Sequence, residues 1–267
     1  MIGLLLILIG GAVGLYPVIS NSVIEYKAKQ EIASYQEAVE GQDQEAITRQ
    51  WDMAREYNQD LAGETGVSVA SYDDLLAVTD AIGYLEIPKL DLYLPIYHGT
   101  EESVLEKGVG HMEGTSLPTG GRSTHCVLSG HTGLPTARLF THLDELEEGD
   151  MFYIHVLDET LAYQVDQKCV VLPDETDEIQ IKEGKDYVTL ITCIPYGVNS
   201  HRLLVRGERT AYEPENPETI SVKTREKEEA KDLTLPYAGA AVLVLILVIG
   251  LLAIGIRKRK KKKTGMK

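Results

Sequence analysis

Cys193 stands where a thiol nucleophile could reach solvent. It ends a nearly continuous apolar run that begins at Val188, and Pro195 and Gly197 follow it in a segment typical of a turn. A cysteine in this position can attack as a thiolate and carry an acyl group as a thioester. A lone cysteine is more often a small apolar core residue, so its spacing alone leaves both interpretations open.

His131 and Arg202 are the candidate partners of this thiol. His131 lies in the segment Ser-Gly-His-Thr-Gly, directly after a short apolar run, and the flanking glycines allow the backbone to turn sharply. An imidazolium near a thiol favours the thiolate and can pass a proton to a leaving group. Arg202 opens another apolar run nine residues after Cys193. If the two runs pair, both residues reach one rim, although each taken singly also fits an ordinary surface role.

Short strands are expected in the middle of the chain. From residue 81 the sequence alternates and is punctuated by prolines, which suits strands with edges or bends. About seven or eight short strands with few helices predict a mainly β fold, closed as a barrel or packed as a sandwich. The further strands are predicted at 124–130, at 151–172 as a hairpin turning at Asp158–Glu159, at 187–193 and at 201–209, with a helix-like segment at 137–146.

Two helices are expected before the strands. Residues 22–61 contain no proline and are rich in Ala, Glu, Gln and Lys, with apolar positions at three- and four-residue spacing. Gly41 is expected to divide this stretch, which puts Trp51 on the second helix as a packing residue. Residues 62–80 are expected to form a loop with room for a short helix around Tyr72–Val78.

Apolar runs near both ends predict membrane spans. Residues 2–19 and 238–256 are uncharged and about as long as a bilayer is thick. A basic block at 257–263 follows the second run at once and marks the cytoplasmic side. Used as a pair, the spans place both termini in the cytoplasm and residues 20–237 outside. The alternative for the first run is a cleaved signal peptide, although it lacks a basic start and an Ala-x-Ala-like exit.

The charge of the chain is strongly asymmetric. The formal net charge is −15, yet eight of the 26 lysines and arginines follow Ile256, where no acidic residue occurs. The rest of the chain therefore carries 18 basic and 41 acidic side chains. This balance argues against nucleic acid as a partner, because phosphates would be repelled. The basic tail instead fits anionic lipid headgroups.

The other cysteines and the acidic residues show no metal-binding pattern. Cys126 and Cys169 form no CxxC pair, and they fit two buried thiols better than a disulfide, an alternative that stays open. The acidic run Asp144–Asp150 lacks EF-hand spacing, so a solvated acidic face is favoured over a calcium site. We expect no cofactor and no metal.

Three segments carry a more specific pattern than any single residue. They read IYHGTEESVLEKGVGHMEGTSLPTGGRSTH, THCVLSGHTGLPTARLFTHLDEL and TLITCIPYGVNSHRLLVRGER. With its TLxTC strand, its Cys-to-Arg spacing of nine and its SGHxGLPxAxLF segment, the chain resembles the sortases, in particular the pilus-assembling class C type. The resemblance covers roughly residues 82–210.

This resemblance implies a fold and a set of site residues. The fold would be mainly β, a closed eight-stranded sortase-like barrel with N-terminal helices, flanked in this chain by transmembrane helices. The family's catalytic Cys, His and Arg fall on Cys193, His131 and Arg202. Thr192 is expected either to contact the substrate or to serve as an ordinary strand residue.

The resemblance also implies a reaction and its partners. A sortase cleaves LPxTG-like sorting signals after the Thr through a thioester, and a class C enzyme passes the acyl group to a lysine amine of the next pilin subunit. The implied partners are pilins or surface proteins with such signals, a pilin lysine as acceptor, and membrane lipid, without nucleic acid. Wall anchoring of other surface proteins, a cysteine hydrolase and a non-catalytic surface protein are the alternatives, and the three residues together favour a transpeptidase.

The chain departs from the class C pattern in two places. None of its ten prolines follows an Asp, so the Asp-Pro-aromatic lid anchor common in class C enzymes is absent. The loop expected to hold that anchor, Ala62–Ser71, is small and polar, which predicts an open or differently plugged site. Leu235–Gly239 reads LPYAG, like a sorting signal with Ala in place of Thr. We favour the start of a transmembrane helix there over a pseudo-substrate or self-anchoring signal.

The elements give an ordered domain plan. Residues 211–235 are rich in Glu, Lys, Thr and Pro and fit a polar stalk. In chain order the plan is an N-terminal anchor at 1–20, a helical and loop region at 21–80, the catalytic barrel at 81–210, the stalk, a second span at 236–256 and a basic cytoplasmic tail at 257–267.

Overall fold

The apolar runs between residues 81 and 210 fold into eight β-strands that close into a barrel. The computed structural model describes residues 2–63, 71–134 and 137–212. The barrel order is β1-β2-β3-β4-β7-β8-β6-β5, and β5 pairs with β1 to close it, so the expected eight-stranded barrel is confirmed. The strands are β1 (Ala81–Ile87), β2 (Leu92–His98), β3 (Val109–His111), β4 (Thr124–Ser129), β5 (Met151–Val156), β6 (Glu159–Val171), β7 (Asp186–Ile194) and β8 (His201–Thr210).

The position of each strand explains its sequence pattern. β5 alternates half-buried and buried residues because one of its faces lines the core and the other faces outward. β7 runs parallel to β4 and antiparallel to β8, and its residues Tyr187, Val188, Thr189 and Leu190 are all buried. This flanking explains why β7 reads as a nearly continuous apolar run.

Within the described ranges, three α-helices accompany the barrel: α1 (Ile2–Glu40), α2 (Gln44–Leu61) and the single turn α3 (Glu102–Leu105). The expected division at Gly41 is confirmed, since α1 ends at Glu40 and α2 begins after an N-cap at Asp43. The Asp43 side chain accepts a 2.7 Å hydrogen bond from the amide of Ala46, which satisfies one of the free N–H groups of the first turn.

Buried polar side chains fasten both long helices to the barrel. Tyr35 of α1 is buried, and its hydroxyl donates to the carbonyl of Ile82 and accepts from the amide of Leu157. On α2, Asn58 is buried and makes a two-way bond with the backbone of Leu117. The expected packing role of Trp51 is also seen, because its ring is buried while its indole N–H bonds to a loop carboxylate.

The expected transmembrane helices are not found. Within residues 2–63, 71–134 and 137–212, no helix combines the length and the apolar character that a bilayer crossing needs. The N-terminal apolar run is the first part of α1, a single helix that continues past Pro17 into charged sequence. The prediction of flanking spans, and the localisation built on it, is therefore wrong. The second predicted span at 236–256, the tail at 257–267 and the LPYAG stretch lie outside the described residues.

Two smaller expectations also need correction. The segment 137–146 is not an α-helix but a series of turns with a 3-10 helix at Leu143–Glu145. Leu139 has a φ of 39°, which an α-helix does not admit, and its neighbour Phe140 is fully buried. The hairpin of β5 and β6 turns at Leu157 and Asp158, one residue earlier than expected.

His111 on β3 is a buried, neutral part of the barrel wall. Its Nδ1 lies 2.7 Å from the hydroxyl of Tyr72, and its Nε2 lies 2.9 Å from the carbonyl of Ser116. Burial lowers the pKa of His111 to about 4, from an ordinary value of 6.5. Burial also lowers the pKa of His98 and His125. The fold therefore favours neutral histidines at three positions.

We expect acid to destabilise the barrel through His111. Because its folded pKa lies below its unfolded pKa, its contribution is present above about pH 6.5 and is lost as the pH falls towards 4. His111→Gln should reduce the drop in the free energy of unfolding between about pH 7 and pH 4.5 by about 2 kcal/mol. Urea unfolding at both pH values measures this drop. His142→Gln, at an exposed histidine, should leave it unchanged, and an equal effect of both variants would contradict the assignment.

Candidate active site

Cross-strand register brings Cys193 and Arg202 together. β7 and β8 are antiparallel neighbours joined by a loop, and Cys193 is the direct partner of Arg202 in that pairing. Residues that face each other across antiparallel strands have Cβ atoms about 5 Å apart. The nine-residue spacing therefore corresponds to the loop between β7 and β8 with its flanking strand ends. It places a thiol and a guanidinium at the same end of the barrel.

Cys193 differs from the other two cysteines in its surroundings. All three thiols are free, so the disulfide between Cys126 and Cys169 does not form. Cys126 is buried, and burial raises its pKa well above the ordinary value. Cys169 is half-buried rather than buried, and burial raises its pKa as well. These two positions disfavour a thiolate. Cys193 is half-buried and is the second-last residue of β7.

The backbone around His131 is held on both sides. β4 runs parallel to β7, and the amide of Gly130 donates a 3.1 Å hydrogen bond to the carbonyl of Ile191. The hydroxyl of Thr192 donates a 2.6 Å bond to the carbonyl of Gly130. On the other side, the carbonyl of His131 accepts a 3.0 Å bond from the amide of Phe140. His131 therefore directly follows Gly130, which is hydrogen-bonded to Ile191 and Thr192, the two residues before Cys193 on β7.

Gly130 is required by the close approach of an aromatic ring. A Cβ atom at this position would lie 2.6 Å from Cδ2 of Phe140, a distance that real Cβ atoms essentially never show. Phe140 is fully buried, so the ring has little room to move away. The glycine before His131 therefore sets how tightly the histidine loop packs on the barrel.

Arg202 is anchored to the loop between β7 and β8. Its Nη1 donates 3.1 Å hydrogen bonds to the carbonyls of Asn199 and His201. These bonds fix the plane of the guanidinium next to the end of β7. An arginine held in this way presents fixed positive charge and further N–H donors beside the cysteine.

Comparison with known proteins gives one consistent answer. A family model described as the Sortase domain matches residues 85–210. Sortase D of Bacillus subtilis (strain 168) is 34% identical over 132 residues, which are 48% of this chain and 64% of that protein. The structure of Clostridium perfringens sortase C with the C-terminal cell wall sorting motif is 49% identical, with a TM-score of 0.64 over 69% of this chain and 100% of that one.

A second solved structure agrees. Sortase C1 of GBS Pilus Island 1 is 45% identical, with a TM-score of 0.67 over 71% of this chain and 95% of that one. The chain belongs to the sortase family. Sortases are cysteine transpeptidases, so the expected enzyme class is confirmed, and the likeness to sortase C structures confirms the class C resemblance. The matched segment of the curated Bacillus subtilis relative is less than two thirds of its length.

The sortase barrel brings two further groups to this site that the sequence did not reveal. Tyr196 is 66% exposed and its ring packs directly over Gly133, which has a φ of 76°. Glu102 of α3 places its carboxylate 3.3 Å from Nε2 of His131. The glycine and the Pro-Tyr-Gly turn could have suggested the first contact, but no sequence signal links Glu102 to a histidine 29 residues away.

The remaining candidates lie away from this site or outside the described residues. His111 and His125 are buried in the barrel wall. In the described ranges, no group of three or more His, Cys, Asp or Glu side chains is arranged to hold a metal ion. In the acidic run 144–150, Asp150 pairs with Lys89 at 2.8 Å. Most of the loop 62–71 is outside the description, so the expected open or differently plugged site stays a prediction.

Thr192 has a buried hydroxyl whose removal should loosen the backbone directly before His131. We expect Thr192→Val to remove the bond to the Gly130 carbonyl, lower the free energy of unfolding by about 1–2 kcal/mol and reduce transpeptidation about tenfold. Thr189→Val is the matched control, because Thr189 lies on the same strand and its buried hydroxyl bonds to Nε2 of His125. Urea unfolding and initial rates on both variants make the test. Equal activity losses in the two variants would mean that Thr192 affects activity only through the stability of the fold. The expected contact of Thr192 with substrate stays a prediction.

Proposed function

We propose that this sortase joins pilin subunits: it cleaves an LPxTG-like sorting signal after the Thr and transfers the acyl group to a pilin lysine. The observation that carries the proposal is the register pairing of Cys193 with Arg202, next to a histidine loop tethered to the same strand end. A thiol, an acid/base group and a fixed cation in one place are what acyl transfer through a thioester needs.

In the first half of the reaction, Cys193 acts as nucleophile. Its thiolate sulfur attacks the Thr carbonyl carbon, and negative charge develops on the carbonyl oxygen. Arg202 supplies positive charge and N–H donors for this oxygen or for the adjacent substrate backbone. The bond from the carbonyl carbon to the Gly nitrogen then breaks, His131 as imidazolium donates a proton to the departing amine, and a thioester remains on Cys193.

In the second half, a lysine amine resolves the thioester. The neutral amine attacks the carbonyl carbon, an amide bond forms, and the Cys193 sulfur leaves as thiolate. His131 takes up the proton that the amine loses, which restores the thiolate and imidazolium. Water can replace the amine in this step, so the product depends on how well the site admits an amine and excludes water.

The pilus assignment rests on similarity and on charge. One solved relative is described as a sortase of a GBS pilus island, and another contains a C-terminal cell wall sorting motif. The chain apart from its last residues carries 18 basic and 41 acidic side chains, so its average field attracts a lysine-bearing acceptor. These observations favour polymerisation over general wall anchoring.

The test incubates the full chain with an LPxTG peptide and a lysine-bearing pilin fragment, and mass spectrometry identifies the products. We expect an amide between the Thr carbonyl and a lysine side chain, with little hydrolysis while the fragment is present. The same protein treated with a thiol-alkylating reagent is the blank. A fragment with its lysines converted to arginine is the acceptor control and should give no amide.

Each other outcome contradicts a defined part of the proposal. Cleavage with water as the only acceptor would make the protein a cysteine hydrolase. Transfer to small wall-peptide amines but not to the pilin fragment would favour wall anchoring. No cleavage by folded protein would support a non-catalytic surface protein and would end the transpeptidase proposal.

A further inference from the structure

A carboxylate that no sequence pattern points to stands beside the candidate acid/base histidine. Oε2 of Glu102 lies 3.3 Å from Nε2 of His131, an ion-pair distance without the alignment of a hydrogen bond. Nε2 is shielded from solvent and makes no hydrogen bond to any described residue. Glu102 itself is 71% exposed, whereas the His131 side chain is 23% exposed. The pair therefore joins a solvated carboxylate to a largely enclosed imidazole.

The fold holds Glu102 in this position through close backbone packing. α3 follows β2 directly after the turn at Gly99 and Thr100, and β2 pairs in parallel with β3. A Cβ at Gly110 of β3 would collide with the carbonyl of Gly99 and would lie 3.1 Å from the Leu105 side chain. Gly110 in turn pairs with Ser129 of β4, two residues before His131. The contacts of β3 with the turn before α3 and with β4 therefore place α3 next to the histidine loop.

We propose that Glu102 is a positioning residue for His131: its carboxylate orients the ring and stabilises the imidazolium form. The inference rests on the proposed function, because it matters only if His131 exchanges a proton during acyl transfer. A carboxylate next to an imidazole favours the charged ring. Glu102 therefore supports the charged ring that protonates the leaving amine. The proposed arrangement then comprises Cys193, its cross-strand partner Arg202, His131 and Glu102.

Other titratable and charged groups on the surrounding elements are the same in the parent protein and in both Glu102 variants. They are Cys193 and Arg202 on β7 and β8, Tyr196 on the loop between them, Glu101 before α3, and Arg138 and Glu25 beside the histidine loop. None of them changes when Glu102 is replaced, so a difference between the variants reports the Glu102 carboxylate.

Three substitutions in the full chain test the proposal. Glu102→Gln keeps the shape and removes the charge, Glu102→Asp keeps the charge with a shorter reach, and Glu101→Gln neutralises the neighbouring exposed carboxylate. We expect Glu102→Gln to shift the alkaline limb of the kcat/KM profile to lower pH and to reduce kcat at alkaline pH about two- to fivefold, with KM nearly unchanged. Glu102→Asp should recover part of the loss, and Glu101→Gln should match the parent protein.

The readouts separate this inference from the function it rests on. Thermal unfolding of all three variants should match that of the parent, since Glu102 is exposed. If the parent forms the amide and Glu102→Gln follows the same pH profile, the positioning role is wrong and the transpeptidase proposal stands. If Glu101→Gln shifts the alkaline limb of the kcat/KM profile as far as Glu102→Gln does, the shift comes from the general negative field of the surface. The specific role of Glu102 beside His131 is then wrong. If the parent forms no amide, the proposed function itself has failed.

Discussion

Replacing Cys193 by alanine should lower the rate of amide formation by at least about 10⁴-fold, because the proposed thioester forms on this thiol. The substitution removes only a sulfur atom from a half-buried position at the end of β7. The barrel should therefore keep its stability. Circular dichroism and urea unfolding check the fold, and initial rates with the sorting-signal peptide check the chemistry.

The matched control for this loss is Cys169→Ser. Cys169 is also a half-buried free thiol, on β6, and burial raises its pKa. Its loss should leave the rate within about twofold of the parent. An acyl-enzyme adduct should be visible by mass spectrometry in Cys169→Ser and absent in Cys193→Ala. An adduct that persists without Cys193, or equal losses in both variants, would show that Cys193 is not the nucleophile.

Much of this site could be predicted from local sequence because a short chain segment decides it. Cys193 and Arg202 belong to neighbouring strands joined by one loop, so their spacing and the turn residues fix their pairing. The division near Gly41 is likewise local, because glycine is a weak helix former and the side chain of Asp43 caps the next helix. In both cases the relevant interaction lies within about ten residues, where periodicity and turn chemistry are informative.

The rest of the site depends on contacts that no local pattern encodes. His131 comes to the Cys193 end of β7 through the parallel pairing of β4 with β7, whose paired residues are about 60 positions apart. Glu102 reaches His131 through the packing of Gly110 against the turn before α3. The segment 137–146 has helical spacing, but the pocket for Phe140 overrides it with a positive φ at Leu139.

The membrane prediction failed for a related reason. It treated residues 2–19 as an element of their own because composition alone defined them. In the structure the run is continuous with the helix that buries Tyr35 against the barrel. Composition describes a segment's solvent preference, whereas the end of an element depends on where its contacts end.

Arg202→Lys keeps the positive charge and should nevertheless reduce kcat/KM by about 10²-fold. The two bonds from Nη1 to the carbonyls of Asn199 and His201 hold the guanidinium plane while its further donors face other directions. A lysine ammonium is a single point of charge on a flexible stem and cannot anchor the loop and serve an oxyanion together. Arg202→Ala should lose about 10³-fold, since the charge disappears as well.

The control for this pair of variants is Arg209→Lys on the same strand. Arg209 lies at the other end of β8, 3.7 Å from the Asp186 carboxylate. Its replacement therefore makes the same chemical change on the same strand, but away from the candidate active site. Initial rates and urea unfolding on all three variants separate the two effects, with Arg209→Lys expected to keep nearly full activity. If Arg202→Lys matches the parent, charge alone is sufficient and the donor geometry has no role. If Arg202→Ala also matches it, the oxyanion role is wrong, and the cross-strand pairing with Cys193 serves only to order the loop.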